Sequence, residues 1–134
     1  MRRMALTSPI LLGSIAVRTF VECRVFTARL RDYLDDDAYL ELQNELLASP
    51  DKGDVMPGCG GLRKLRFAAP KRGKGKRGGV RVIYLHIPEA ERIDLLAIYG
   101  KDEKDDLTQD EKKLLRALAG QAREEARRHA VRRK

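Results

Sequence analysis

The sequence predicts an α+β domain: a small, mostly antiparallel sheet combined with helices, the last of them C-terminal. Three observations carry that expectation. Residues 62–99 hold three successive apolar or alternating runs separated by turn-forming stretches, which is the pattern of a meander. Residues 35–49 repeat apolar side chains at helical spacing, with Tyr39, Leu42, Leu46 and Leu47 on one face. Thr108-Gln109-Asp110-Glu111 is a capping box, which announces a further helix. At 134 residues and 43% hydrophobic, the chain suits one domain with a modest core.

Taken in order, residues 1–16 are expected to be a poorly ordered extension. Arg2 and Arg3 before an apolar stretch have the look of a secretory signal, but Pro9 interrupts it and the cleavage pattern is poor. The run is also shorter than the roughly 20 apolar residues of a membrane span, so cytoplasmic residence without membrane contact is expected. The domain proper is placed at 17–124. Arg18 to Phe26 is aromatic and β-branched and predicts a first strand; residues 27–34 and 35–49 predict two helices, the second capped by Asp35 or Asp36 and stopped by Pro50.

Residues 52–61 are turn chemistry, with Cys59 in a glycine-rich stretch that allows exposure. Residues 62–68 alternate, setting Leu62, Lys64 and Arg66 on one face and Arg63, Leu65 and Phe67 on the other. Val80–Ile87 returns antiparallel to them, and the apolar run Leu95–Ile98 marks a central strand. The closing helix shows Leu114, Leu115, Leu118, Ala119 and Ala122 to the core, and residues 125–134 become a basic tail. This order, strand, two helices, three strands and helix, predicts helices on one side of the sheet.

Charge placement is the strongest functional signal. Lys and Arg number 28 against 20 Asp and Glu, a net charge of +8 that favours an anionic partner, nucleic acid first. Residues 55–88 contain no acid and carry nine cations: Arg63, Lys64, Arg66, Lys71, Arg72, Lys74, Lys76, Arg77 and Arg81. Lys64 and Arg66 share a strand face, and the returning strand can bring Arg81 beside them. Gathering like charges costs free energy unless an anion sits among them, so the pattern points to a polyanion site.

Lys101 and Lys104 leave the last strand where these cations can converge, and Tyr99 adds an aromatic ring and a phenol. Gly73-Lys74-Gly75-Lys76-Arg77-Gly78-Gly79-Val80 matches a kinase phosphate loop in spacing. No accompanying kinase motif follows, and the loop precedes a strand, so it is read as a cationic clamp over a phosphodiester backbone. Cys23 and Cys59 lack the companions of a zinc site and are read as reduced thiols, and His86 and His129 as structural. No cofactor is implied.

From about Phe20 to Arg123 the chain resembles the RelE superfamily of bacterial type II toxins, within it the HigB-like branch. The resemblance rests on Gly53-Asp54-Val55, on Gly60-Gly61-Leu62-Arg63-Lys64-Leu65-Arg66, on Gly75 to Tyr84, and on Ile98-Tyr99-Gly100-Lys101-Asp102-Glu103, in that order. It implies a RelE/ParE-like fold and a ribosome-dependent endoribonuclease that cuts mRNA and halts translation. The partners it implies are the ribosome, mRNA and a cognate antitoxin, HigA-like with a helix-turn-helix.

On these positions the resemblance makes Lys64, Arg66, Arg81 and Lys101 catalytic. Arg63, Lys74, Lys76, Arg77, Tyr99 and Lys104 would then hold RNA, with Tyr99 as a stacking platform. No tyrosine follows Tyr99, so the family's tyrosine on the last helix has no counterpart and the general base is left open. RNA brings its own nucleophile, the 2′-hydroxyl; the protein has to align it, move a proton and stabilise the added charge, and no metal is required. Two other classes fit the same charges: a non-catalytic inhibitor acting by occupancy of RNA or ribosome, and a ParE-like gyrase poison.

Overall fold

The computed structural model describes residues 2–9, 15–68, 79–104 and 106–133. They form an α+β domain with six strands and three α-helices. The strands are β1 (Arg2–Pro9), β2 (Ile15–Glu22), β3 (Asp54–Val55), β4 (Arg63–Phe67), β5 (Val80–Ile87) and β6 (Arg92–Gly100). The helices are α1 (Arg24–Tyr33), α2 (Asp36–Ala48) and α3 (Gln109–Arg133). The sheet order is β1-β2-β6-β5-β4-β3; β2 and β6 run parallel and every other pair is antiparallel. The predicted meander is therefore β4-β5-β6.

The structure differs from the sequence reading in several places. Residues 2–9, expected as an extension outside the domain, run as an edge strand paired along its length with β2. The first strand of the domain stops at Glu22, and Phe26, expected in it, lies in α1. Phe26, Leu30 and Tyr33 recur at four and three residues and are all buried, so helical burial wins over β-propensity there. The basic end expected as a tail continues helically to Arg133.

The helices do not share one side of the sheet. α1 and α2 cover one face with Phe26, Leu30, Leu42 and Leu46 against Phe20, Leu65, Val82, Tyr84 and Leu95. α3 covers the other, its Leu115, Ala119, Ala122 and Ala126 packing with Leu62, Ile83, Leu85 and Leu96. The cause is that β5 and β6 are buried on both faces along their length, which leaves two apolar surfaces to cover. Cys59 belongs to the second core and is 4% exposed, so its turn does not present it to solvent.

The helix signals hold in detail. Asp35 caps α2 by accepting from the Ala38 N–H at 2.9 Å. At α3 the Thr108 hydroxyl accepts from the Glu111 N–H at 3.1 Å, and the Glu111 carboxylate accepts from the Thr108 N–H at 2.8 Å.

One irregularity places the site. In the β5–β6 ladder Ile83 lies opposite Ala97 and Tyr84 opposite Leu95, so Leu96 is an extra residue. Before this bulge Leu95 faces α1 and α2; after it, Ala97 and Tyr99 face α3. Without it Leu95 and Tyr99 would share a face by alternation. The bulge thus turns Tyr99 onto the surface that carries Arg81, the kind of re-aiming such irregularities perform.

Candidate nucleic-acid interface

The alternation of β4 puts Leu62, Lys64 and Arg66 on the α3 face, with Leu62 in the core beneath that helix. Arg66 lies directly opposite Arg81 in the ladder, and Arg81 directly opposite Tyr99. Arg66, Arg81 and Tyr99 therefore form one row across three strands. Lys64 lies two residues along β4, in the row of Ile83 and Ala97.

Arg81 is only 5% exposed, whereas Arg66 is open to solvent, and among the described residues no ion pair involves Arg66. Burial lowers the Arg81 pKa, the Arg66 guanidinium lowers it further, and Tyr99 opposes them. Two guanidiniums opposite each other across the ladder, one exposed and one desolvated, put like charges side by side, an arrangement that an anion would stabilise.

Carboxylates border this row on the α3 side. Asp106 lies with one oxygen 3.5 Å from Lys64 Nζ and the other 3.1 Å from Lys112 Nζ. Its pKa is lowered, first by the Leu107 N–H that donates to it at 2.8 Å, then by the bond from Lys112 and the nearby Lys64 charge. Glu111, besides capping α3, accepts from Lys104 at 2.6 Å, and this bond leads the causes that lower its pKa. Lys104 Nζ stands 5.5 Å from the centroid of the Tyr99 ring, a cation–π contact.

Tyr99 is 3% exposed and its buried hydroxyl has no hydrogen-bond partner among the described residues. Burial, with Asp106 and Glu111 adding to it, pushes the phenol up to about 12, against the opposing Arg81 charge. It stays neutral at physiological pH, so it can donate a proton but does not serve as a phenolate base. Nor is it the open stacking platform the resemblance implies: the ring is packed and one face carries Lys104.

A folded pKa raised from 10.0 to about 12 gives a contribution fully present below pH 10 and lost as pH rises from 10 toward 12. Tyr99→Phe removes both this contribution and a buried hydroxyl without a partner among the described residues. Its stability at pH 7 should equal or exceed wild type, with a shallower alkaline fall between pH 10 and 12. Thermal melts across that range check it, and a Tyr99→Phe protein less stable at pH 7 would show that the hydroxyl has a partner.

The structure brings Lys64, Arg66, Arg81, Tyr99 and Lys104 together. Lys101 opens the turn after β6, its N–H bonded to Gly79 O at 3.2 Å, at the margin of the row. Arg63 is not brought to this row: it pairs with Tyr84 on the α1–α2 face. There its guanidinium donates to Asp51 O at 3.0 Å and Gly53 O at 2.8 Å, beside the His86–Asp51 contact of 2.8 Å. Alternation sets its side chain away from Lys64 and Arg66. Lys74, Lys76 and Arg77 lie outside the described residues.

Asp106, Glu111 and Lys112 were missed by the sequence reading, although the capping box already singled out Glu111. Among the described residues no helix is long and apolar enough to cross a membrane. No protein-family model matches the chain. Its fold is similar to that of the E. coli toxin RelE, solved as a double arginine-to-alanine mutant in the free state. The two share 17% identity over 64% of this chain and 85% of that one, with a TM-score of 0.45.

Proposed function

We propose that this chain is the toxin of a type II toxin–antitoxin system, of the HigB-like branch, cleaving mRNA on the ribosome in the cytoplasm. A HigA-like, helix-turn-helix antitoxin would neutralise it. The observation that carries the reading is the in-register pair of Arg66 and Arg81, one open and one desolvated, with Lys64 beside it on the same face.

Such a pair suits a phosphodiester. Each guanidinium can bind two phosphate oxygens, and its charge acts most strongly when the phosphate gains negative charge in the transition state. In the proposed step the 2′-oxygen attacks phosphorus, the bond from phosphorus to the 5′-oxygen breaks, and the 2′-proton is balanced by protonation of that leaving oxygen. The products are a 2′,3′-cyclic phosphate and a 5′-hydroxyl. Arg66 and Arg81 hold the phosphate, and Lys64 donates to its oxygens or to the leaving group. Tyr99, held neutral, supports Arg81 from the adjoining strand.

The test is incubation of translating ribosomes with wild type and with Lys64→Ala, mapping the mRNA ends. Wild type is expected to produce cyclic-phosphate ends, and Lys64→Ala to slow their appearance by about 10²-fold, the usual size of a proton-transfer or charge-stabilising contribution. Arrested translation with intact mRNA would establish the occupancy inhibitor instead. DNA damage with whole mRNA would establish the gyrase poison.

A further inference from the structure

We propose that Lys112 of α3 and Lys64 of β4 form a seat for an RNA backbone phosphate, and that the Asp106 carboxylate fills this seat in the free protein. The inference deepens the RNA-cleaving reading and rests on it. It adds to the site a helix residue that neither the charge pattern nor the strand register points to.

The geometry is that of a substrate mimic. A carboxylate and a phosphodiester each offer two oxygens sharing one negative charge. Asp106 gives one oxygen to Lys64, at 3.5 Å, and the other to Lys112, at 3.1 Å. The lysine side chains are 25% and 27% exposed, while Asp106 is 48% exposed. The carboxylate is thus the most exposed member of the group, and a phosphate that displaces it breaks the two ion pairs and the bond from the Leu107 N–H. Leu107, buried at 7%, anchors the segment behind it.

Position supports the assignment as well. Lys64 and Arg66 are two residues apart on an extended strand, a separation of roughly 7 Å. A phosphate between Lys64 and Lys112 is therefore about one backbone step from a phosphate held by Arg66 and Arg81. Past Lys112 a cavity of about 420 Å³ continues between the turn at Pro57 and Gly58 and the α3 residues Lys113 and Arg116. Arg116 reaches across it to donate to Gly58 O at 3.1 Å. Three cations, Lys112, Lys113 and Arg116, line this cavity against one carboxylate, Asp110, so the positive surface continues from the sheet onto the helix.

The test measures binding of a 2′-O-methyl oligoribonucleotide, which lacks the nucleophile, to wild type, Asp106→Asn, Lys112→Ala and the double variant over a salt series. Asp106→Asn keeps an acceptor for the Leu107 N–H and frees the seat. It should bind about threefold to tenfold more tightly, the size expected from releasing two partly exposed ion pairs. Lys112→Ala should bind more weakly, with a salt slope shallower by about 0.7, one phosphate contact on a single strand.

The gain from Asp106→Asn should largely vanish in the Lys112→Ala background. Additive effects would show that Asp106 acts only through general charge and would overturn the seat, as would an Asp106→Asn protein that binds no more tightly. A protein that fails to bind the oligonucleotide at low salt overturns both readings. Binding with the expected coupling but no cleavage of ordinary mRNA retains the seat and rejects the nuclease.

Discussion

Replacing Arg81 by alanine is expected to lower single-turnover mRNA cleavage by about two to three orders of magnitude, the usual loss when one preorganised charge-stabilising donor is removed. The size follows from its placement. Arg81 is 5% exposed and fixed between Arg66 and Tyr99 in the ladder, so its charge acts through little water and needs no reorganisation when the phosphate gains charge. Arg81→Lys keeps the charge and loses the planar fork, so it should recover only part of the rate. Arg66, exposed on the same row, should matter less for rate and more for repulsion: Arg66→Gln removes the neighbouring charge that weighs on Arg81. Its melting temperature should not fall below wild type although cleavage declines, the pattern of a site whose function opposes stability. Full cleavage by Arg81→Ala would remove the phosphate clamp from the mechanism, and a destabilised Arg66→Gln would remove the like-charge argument.

How far the site was legible from sequence depends on which physical signal each residue carries. Lys64 and Arg66 share one face because alternation along a strand is obligatory, and Arg81 follows from an antiparallel return after the loop of residues 70–79. The same alternation put Arg63 on the opposite face, and its partners there, Asp51 and Gly53, confirm that geometry outranks charge counting. Helix α2 and the cap of α3 were readable because their signals are local. The bulge at Leu96 was not, since a run of apolar residues buried on both faces looks the same with or without an extra residue. The start of α1 was lost because Phe26 suits strand and helix alike. Asp106 and Lys112 stayed hidden for a different reason: their partner Lys64 is remote in the chain, and only the docking of α3 brings them together.

That docking leads to the largest stability effect expected, at Asp94. Arg92 and Asp94 are two apart on β6 and share the α3 face, with side chains 4% and 5% exposed. Arg92 grips Asp94 through Nε at 2.6 Å and Nη2 at 2.9 Å, and the same Nη2 reaches Glu125 of α3 at 3.3 Å. Asp94→Ala strands a desolvated guanidinium without its forked partner, which costs about 3–5 kcal/mol, a large share of the stability of a small domain. Replacing both partners, Arg92→Met with Asp94→Leu, removes the two charges together and should cost far less. Urea unfolding of the two proteins checks the contrast; a loss under about 1 kcal/mol for Asp94→Ala would mean that water already reaches the pair. Arg92 also holds Glu125 on the helix that carries Glu111 and Lys112, and Asp94→Ala removes the two bonds that orient this guanidinium toward α3. The RNA affinity of Asp94→Ala should therefore fall even at temperatures where the protein remains folded.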